Sequence, residues 1–315
     1  MPTDDMPTVS ETARTGAPGR ARIDPDLGAF EPRIAARRRR GTIFAGLFFA
    51  ATALGIVVLG VLLVDVFTKA APWLSTGFLT NHMSFEAERA GIRSALVGSL
   101  LLMALTTVLA VPLGVGAAVW LEEYAPRGRV LRLVQLNIAN LAGVPSVLYG
   151  ILGLTLFVRF FALDRSLIAG AMTMALLILP VIVISTQEAL RAVPQGLRES
   201  AYALGATRWQ VIRAHLLPVA APGILTGVIL AVSRAIGETA PLLVIGGFVF
   251  LAFSPESLLD PFTALPIQIY NWTGLPQADF RGLAAAAIAV LMVLMLLLNG
   301  SAIVLRNRFE RSRPR

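Results

Sequence analysis

Long apolar runs separated by polar segments dominate the pattern along this chain. Six runs approach or exceed the length of about 20 residues that a helix needs to cross the hydrocarbon core of a bilayer. They cover residues 43–64, 94–120, 133–158, 167–184, 219–253 and 283–305. The pattern therefore predicts an all-α fold, a polytopic transmembrane helical bundle of six spans.

Proline and glycine residues interrupt several of these runs, and packed membrane helices tolerate both. The third run contains Gly143 and Pro145, and the fourth is expected to end near Pro180. The fifth run is long enough to tilt or bend, and Pro241 is expected to free a carbonyl and bend the span.

Composition narrows the classes of protein that fit. Hydrophobic residues make up 56% of the chain and charged residues only 15%, where soluble domains have about 25% charged residues. The absence of cysteine excludes disulfide scaffolds, iron–sulfur clusters and thiol nucleophiles, and the two distant histidines disfavour a histidine metal site. The sequence lacks a phosphate-binding loop, so ATP hydrolysis must belong to another chain. We expect no catalysis, cofactor or metal.

Positive charges lie mainly on one side of the predicted membrane. If the spans alternate from a cytoplasmic N-terminus, 20 of the 27 Lys and Arg residues are cytoplasmic, six are external and Arg234 lies within a span. This bias predicts that both termini are cytoplasmic. Residues 1–40 are polar and end in four arginines. We interpret them as a disordered tail that anchors at the lipid border, rather than as a nucleic-acid site.

The segment 187–218 differs from an ordinary connecting loop. Its pattern predicts two short amphipathic helices. The first ends at Gly205, because glycine is a helix C-terminal signal. The second ends before Pro218, at which the fifth span is expected to begin. One small apolar face consists of Leu197, Ala201 and Leu204. The segment is either a pair of interfacial helices in the headgroups or a knob that docks a protein, and its small residues favour docking.

The spacing within this segment resembles the EAA loop of permease subunits of binding-protein-dependent ABC importers. The residues that match are Glu199, Ala201, Gly205, Leu217 and Pro218. Two residues depart from the usual pattern: Ser200 replaces an alanine, and His215 stands where isoleucine is common. The resemblance implies a type I (MetI-like) importer permease, in which the matching residues couple the membrane domain to a separate ATPase chain.

Three further stretches, 141–150, 233–243 and 264–272, resemble signatures of the phosphate-specific transport system, and the last two favour its A-type permease family. This resemblance implies a permease subunit of an ATP-driven inorganic phosphate importer in a bacterial inner membrane. It implies three partners: a C-type phosphate permease in a heterodimer, an ATPase dimer and an extracytoplasmic phosphate-binding protein. The alternatives are a permease for another oxyanion, such as sulfate or molybdate, and a non-transport membrane scaffold or enzyme.

The predicted domain organisation follows from these assignments. Residues 1–40 are the tail, and residues 41–93 hold the first span and an outer loop. Residues 94–304 are the permease core, with the EAA loop at 187–218, and residues 305–315 are a basic cytoplasmic tail. The importer resemblance covers the core.

Arg234 and Glu238 are charges inside the fifth predicted span, where a charge is costly and is expected to face a pathway or a partner. Because a planar guanidinium suits a tetrahedral oxyanion, we predict a substrate pathway at Arg234, Glu238 and Thr239, with Thr239 donating from its hydroxyl. Alternatively, Arg234 and Glu238 only neutralise each other. The adjacent Glu122 and Glu123 are interpreted as a solvated cap rather than as acid–base groups.

Overall fold

The computed structural model describes residues 31–247 and 250–311 of the chain. Within those ranges the backbone is mainly helical, and the strand-like pairing is limited to an isolated bridge between Ser166 and Pro261. The α-helices are α1 (Glu31–Ala70), α2 (Thr76–Thr80), α3 (Arg93–Val119), α4 (Arg129–Ala142), α5 (Ser146–Gly153), α6 (Leu167–Arg191), α7 (Gln195–Ala203), α8 (Arg208–Val211), α9 (Leu217–Gly237), α10 (Ala240–Ile245), α11 (Leu265–Gly274) and α12 (Ala278–Arg311). π-Helical turns follow three of them, at Trp120–Tyr124, Leu154–Phe160 and Ile212–Leu216. The predicted all-α class is confirmed.

Five helical stretches of the described residues are long and apolar enough to span a membrane. They are Arg37–Trp73, Arg93–Tyr124, Leu167–Arg191, Arg208–Gly237 and Ala278–Arg308. Helices α4 and α5 add a sixth span if they are counted together, although they are bent by 101° relative to each other. The six predicted runs therefore correspond to five or six spans.

The bend between α4 and α5 lies at Pro145, inside the third predicted run. Proline has no backbone N–H to donate to the carbonyl of Leu141, four residues earlier. That carbonyl accepts hydrogen bonds instead from the backbone N–H of Val144, at 3.1 Å, and from the Tyr149 hydroxyl, at 2.8 Å. The carbonyl is therefore satisfied at the point where the helix changes direction.

The fifth predicted run is not one helix. Helix α9 ends at Gly237 and α10 begins at Ala240, so Glu238 and Thr239 lie between two helices. Pro241 accounts for the break, because it cannot donate to the carbonyl of Gly237 and its ring would collide with that carbonyl in a continuous helix. The expected bend is thus a two-residue interruption.

Two other predicted boundaries shift. Helix α6 continues through Pro180 to Arg191, as packed membrane helices tolerate proline. The stretch from Arg208 to Gly237 is helical throughout, so Pro218 does not open a new helix. The EAA loop therefore runs directly into α9.

The first helix begins earlier than the sequence predicts, and the last helix extends beyond its predicted span. Residues 1–30 of the predicted disordered tail lie outside the described residues, but α1 begins at Glu31, within that tail. Helix α12 continues to Arg311, through much of the predicted basic tail, and residues 312–315 lie outside the described part. Because alanine and arginine favour helix, a helix can extend well beyond its apolar run.

The chain divides into two compact units, Met1–Leu62 and Leu63–Arg315. In the described part of the first unit, the apolar side chains of α1 are mostly exposed, as expected where a helix faces lipid. In the second unit, the main core lies among α3, α5, α6, α9 and α10. A separate small core, which includes Leu190, Val193 and Leu216, holds the EAA loop together.

Candidate functional site

The break in the fifth run carries the predicted substrate residues. Helix α9 places Ala231 and Ala235 in the main core, and Arg234 lies on another face with 49% of its side chain exposed. Glu238 follows the end of α9 in an extended conformation, and its side chain is 19% exposed. The end of the helix thus presents two opposite charges beside the interruption.

Arg234 and Glu238 form an ion pair in which Nε of Arg234 donates to Oε1 of Glu238 at 3.3 Å. The two terminal nitrogens of the guanidinium make no hydrogen bond to the residues that the structure describes. Thr239 immediately precedes α10, but its hydroxyl makes no capping hydrogen bond to that helix. The pair therefore neutralises charge while leaving a planar fork of donors open to an anion.

Helix α10, which follows this pair, packs closely against α5. A Cβ atom on Gly150 would lie 2.8 Å from Cα of Pro241, so these helices can approach this closely only with glycine at that position. The neighbouring Tyr149 is the residue whose hydroxyl donates a hydrogen bond to the carbonyl of Leu141 at the bend in the third run. The interruption in the fifth run is thus supported by the bent third run.

The EAA loop contains the two short helices that its pattern predicts, α7 and α8. Gly205 has a φ angle of +80°, a left-handed conformation that glycine adopts without strain. Thr207 and Gln210 form a reciprocal capping box at the start of α8. The predicted helix end at Gly205 is confirmed.

The predicted ATPase-coupling residues occupy different environments. The exposed ones are Glu199, Gly205 and Pro218. Leu217 is half-buried, whereas Ala201 is only 5% exposed and packs in the core of the EAA loop. We therefore correct the position of Ala201: it supports the loop from inside and does not face a partner. Leu204, predicted to share its face, is 89% exposed.

Glu122 and Glu123 are not a solvated cap. Glu123 exposes 7% of its side chain and pairs with Arg198 of α7, and Glu122 pairs with Arg191 at 3.0 Å. Sequence reasoning missed these partners because 75 and 69 residues separate them along the chain. A cluster of arginines in and beside the EAA loop was the only available signal, and it does not specify which carboxylates the arginines meet.

Comparison with known proteins supplies the family. Residues 110–311 match the family described as binding-protein-dependent transport system inner membrane component. The phosphate transport system permease protein PstA of Haemophilus influenzae is 35% identical, over 84% of this chain and 92% of its own. PstA 1 of Mycobacterium tuberculosis H37Rv is 33% identical over 91% of this chain and 93% of its own. The probable ABC transporter permease protein YqgI of Bacillus subtilis is 32% identical, over 82% of this chain and 93% of its own.

Two solved structures share the fold. A chain of a bacterial alginate ABC transporter, solved with an alginate pentasaccharide-bound periplasmic protein, has a TM-score of 0.61 and 17% identity, covering 86% of this chain and 96% of its own. A chain of the inward-facing MetNI methionine ABC transporter has a TM-score of 0.54 and 20% identity, covering 70% of this chain and 94% of its own. The predicted MetI-like architecture is confirmed. From the family match and the sequence relatives together, the chain belongs to the family of inner membrane components of binding-protein-dependent transport systems.

Proposed function

We propose that this chain is the A-type permease subunit of an ATP-driven importer of inorganic phosphate. The observation that carries the proposal is the similarity, over most of the chain, to proteins named as phosphate transport system permeases. As a permease, the chain performs no covalent chemistry. It lines the path of the substrate and converts ATP hydrolysis by a partner chain into movement of the membrane helices.

The proposed substrate pathway runs past Arg234, Glu238 and Thr239. The terminal guanidinium nitrogens of Arg234 are available, and such a fork binds phosphate oxygens bidentately. Glu238 restrains the guanidinium and repels excess negative charge, while the Thr239 hydroxyl donates to another phosphate oxygen. Because about half of the Arg234 side chain is exposed, an anion can reach it without opening the core.

The proposed complex contains this chain, a C-type phosphate permease, two ATPase subunits and an extracytoplasmic phosphate-binding protein. The EAA loop seats in the ATPase through its exposed side, on which Glu199, Gly205 and Pro218 lie, with Leu217 at the edge. Ala201 holds α7 against the core of the loop. Closure of the ATPase pair on ATP then moves the loop and opens the path.

In the proposed organisation, residues 94–304 form the permease core. Both termini lie in the cytoplasm of a bacterial cell, because positive charge accumulates on the cytoplasmic side of inner membranes. In whole cells, tags at both termini should be inaccessible to an impermeant reagent, and a tag beside Asn81 should react. Lysed cells, in which every tag reacts, are the control. An accessible C-terminus in whole cells would contradict this orientation.

Uptake by the reconstituted complex tests the substrate. Proteoliposomes that contain the complete complex and ATP should accumulate radiolabelled phosphate, and unlabelled phosphate should compete while sulfate and molybdate should not. Vesicles without ATP measure leakage. Accumulation of sulfate or molybdate, but not of phosphate, would reject the proposed substrate in favour of another oxyanion.

Gly205→Val tests the role of the EAA loop. Valine is strained at a φ of +80°, and its side chain would occupy the open space next to Gly205, where the ATPase is proposed to dock. Uptake should be lost although the chain is still inserted in the membrane. Gly196→Val is the matched control, because Gly196 also borders open space but lacks a left-handed φ. Normal uptake by Gly205→Val would contradict docking at this turn.

A further inference from the structure

The two carboxylates that follow α3 attach to both sides of the turn from α6 into α7. Glu122 accepts hydrogen bonds from Nε of Arg191, the last residue of α6, at 3.0 and 3.1 Å. Glu123 accepts a hydrogen bond from Nη1 of Arg198 in α7. Arg198 also donates from Nη2 to the carbonyl of Leu190 at 2.8 Å. The end of α3 is thus tied to the first helix of the EAA loop.

Tyr124 extends this series to the second helix of the loop. The guanidinium of Arg208, the first residue of α8, lies 5.5 Å from the centre of the Tyr124 ring, within cation–π range. Consecutive residues of a helical turn point in different directions, so the three side chains reach three separate partners. We call residues 122–124 the strap.

The central pair of the strap is shielded from solvent. The side chain of Glu123 is 7% exposed and that of Arg198 is 22% exposed. By contrast, Glu86 and Arg89 form an ion pair whose side chains are 69% and 79% exposed. Solvent screens an exposed pair and leaves it weak, whereas removing one partner of a buried pair is strongly unfavourable. The strap is therefore a firm attachment.

We propose that the strap transmits movement of the EAA loop to α3. The chain itself joins the loop to α6 and, through a continuous helix, to α9. Helix α3 packs along α6 but has no such covalent link to the loop; its end meets the loop through the strap and through the apolar contacts of Val115 and Val119 with the loop core. Movement of α7 and α8 therefore pulls α3 together with α6 and α9. This inference rests on the proposed function, because it assumes that a partner ATPase moves the EAA loop.

Glu123→Gln tests transmission, because glutamine keeps the shape of the side chain and removes its charge. In the reconstituted complex, phosphate transported per ATP hydrolysed should fall about fivefold or more, the lower range of coupling between sites, while the ATPase still copurifies with the chain. A merely structural role would lower the yield of the complex without changing this ratio. Glu86→Gln, in the exposed pair, is the matched control and should leave the ratio unchanged.

A reversible cross-link provides a second test, because the chain contains no cysteine. In a variant with Glu123→Cys and Arg198→Cys, a short reducible linker between the two thiols should restore the transport ratio, and reduction should lower it again. An unchanged ratio in Glu123→Gln, loss of ATPase binding in that variant, or no difference on joining the thiols would overturn transmission. Failure of the unaltered chain to bind an ATPase would instead overturn the proposed function, and transmission with it.

Discussion

Glu123 and Arg198 pair at the EAA loop, whereas Arg234 and Glu238 pair at the break between α9 and α10. The first pair is mostly buried, and its guanidinium also donates to a backbone carbonyl. In the second pair the arginine is about half exposed and uses Nε alone. The same two residue types thus differ in what they leave available. The mostly buried pair joins segments that are distant in sequence, and the partly exposed pair leaves both terminal nitrogens of Arg234 without a hydrogen bond to the described residues.

Arg234→Ala should produce the largest effect, which is loss of transport. Without the guanidinium, the proposed pathway would have no fork of donors for the anion, so we expect phosphate uptake to be abolished at matched membrane expression. Uptake by whole cells, with the amount of inserted chain measured in parallel, checks this expectation. Arg89→Ala, in an exposed ion pair, should leave uptake unchanged.

Combining Arg234→Ala with Glu238→Ala separates the pathway role from simple neutralisation. If the two residues only neutralise each other, the double variant leaves no uncompensated charge in the membrane and should recover uptake. We expect it to remain inactive. Recovery would reject the pathway and leave a structural pair, so that the Arg234–Glu238 pair would have the same kind of role as the Glu123–Arg198 pair.

Arg198→Ala should reduce stability in addition to transmission, because it leaves Glu123 buried without its partner. Breaking a buried pair in this way costs about 3–5 kcal/mol. We expect a clearly lowered midpoint of thermal unfolding in detergent, measured on the purified chain. Arg89→Ala again serves as the control. A shift as small as that of the control would show that the strap is no firmer than a surface pair.

Arg234→Lys should have an intermediate effect on transport. Lysine keeps the positive charge but loses the bidentate fork, and one lost hydrogen bond of about 1.4 kcal/mol corresponds to about a tenfold lower uptake. Phosphate uptake at several concentrations measures the loss. Wild-type uptake by this variant would mean that charge alone is recognised at this position.

Glu238→Ala should have the smallest effect on stability. Arg234 then remains without its carboxylate, but if its exposed side faces an aqueous path, the loss should be below about 1 kcal/mol, as for other exposed pairs. Thermal unfolding of the purified chain measures the difference. If Arg234 instead faced lipid, the unpaired charge would cost about 2.5–3.5 kcal/mol, and a loss of that size would contradict an aqueous path.

The helical class, the approximate positions of the spans and the turn at Gly205 can all be predicted from the amino-acid sequence alone. These features depend on neighbouring residues: a run of apolar side chains predicts a membrane helix, and a glycine permits a left-handed turn. Proline also acts locally, so a disturbance of the fifth run near Pro241 was predictable. Its exact form, a two-residue gap that contains Glu238 and Thr239, was not.

The burial of the candidate residues, and the partners that they contact, depend instead on how the helices pack. Ala201 was predicted to contact a partner and is instead enclosed by the loop core, while Glu123 was predicted to be solvated and is buried against Arg198. Both outcomes depend on segments far apart in sequence that come together when the helices pack. A local pattern records the chemical type of a side chain, but the packed neighbours determine whether water, a partner or the chain itself covers it.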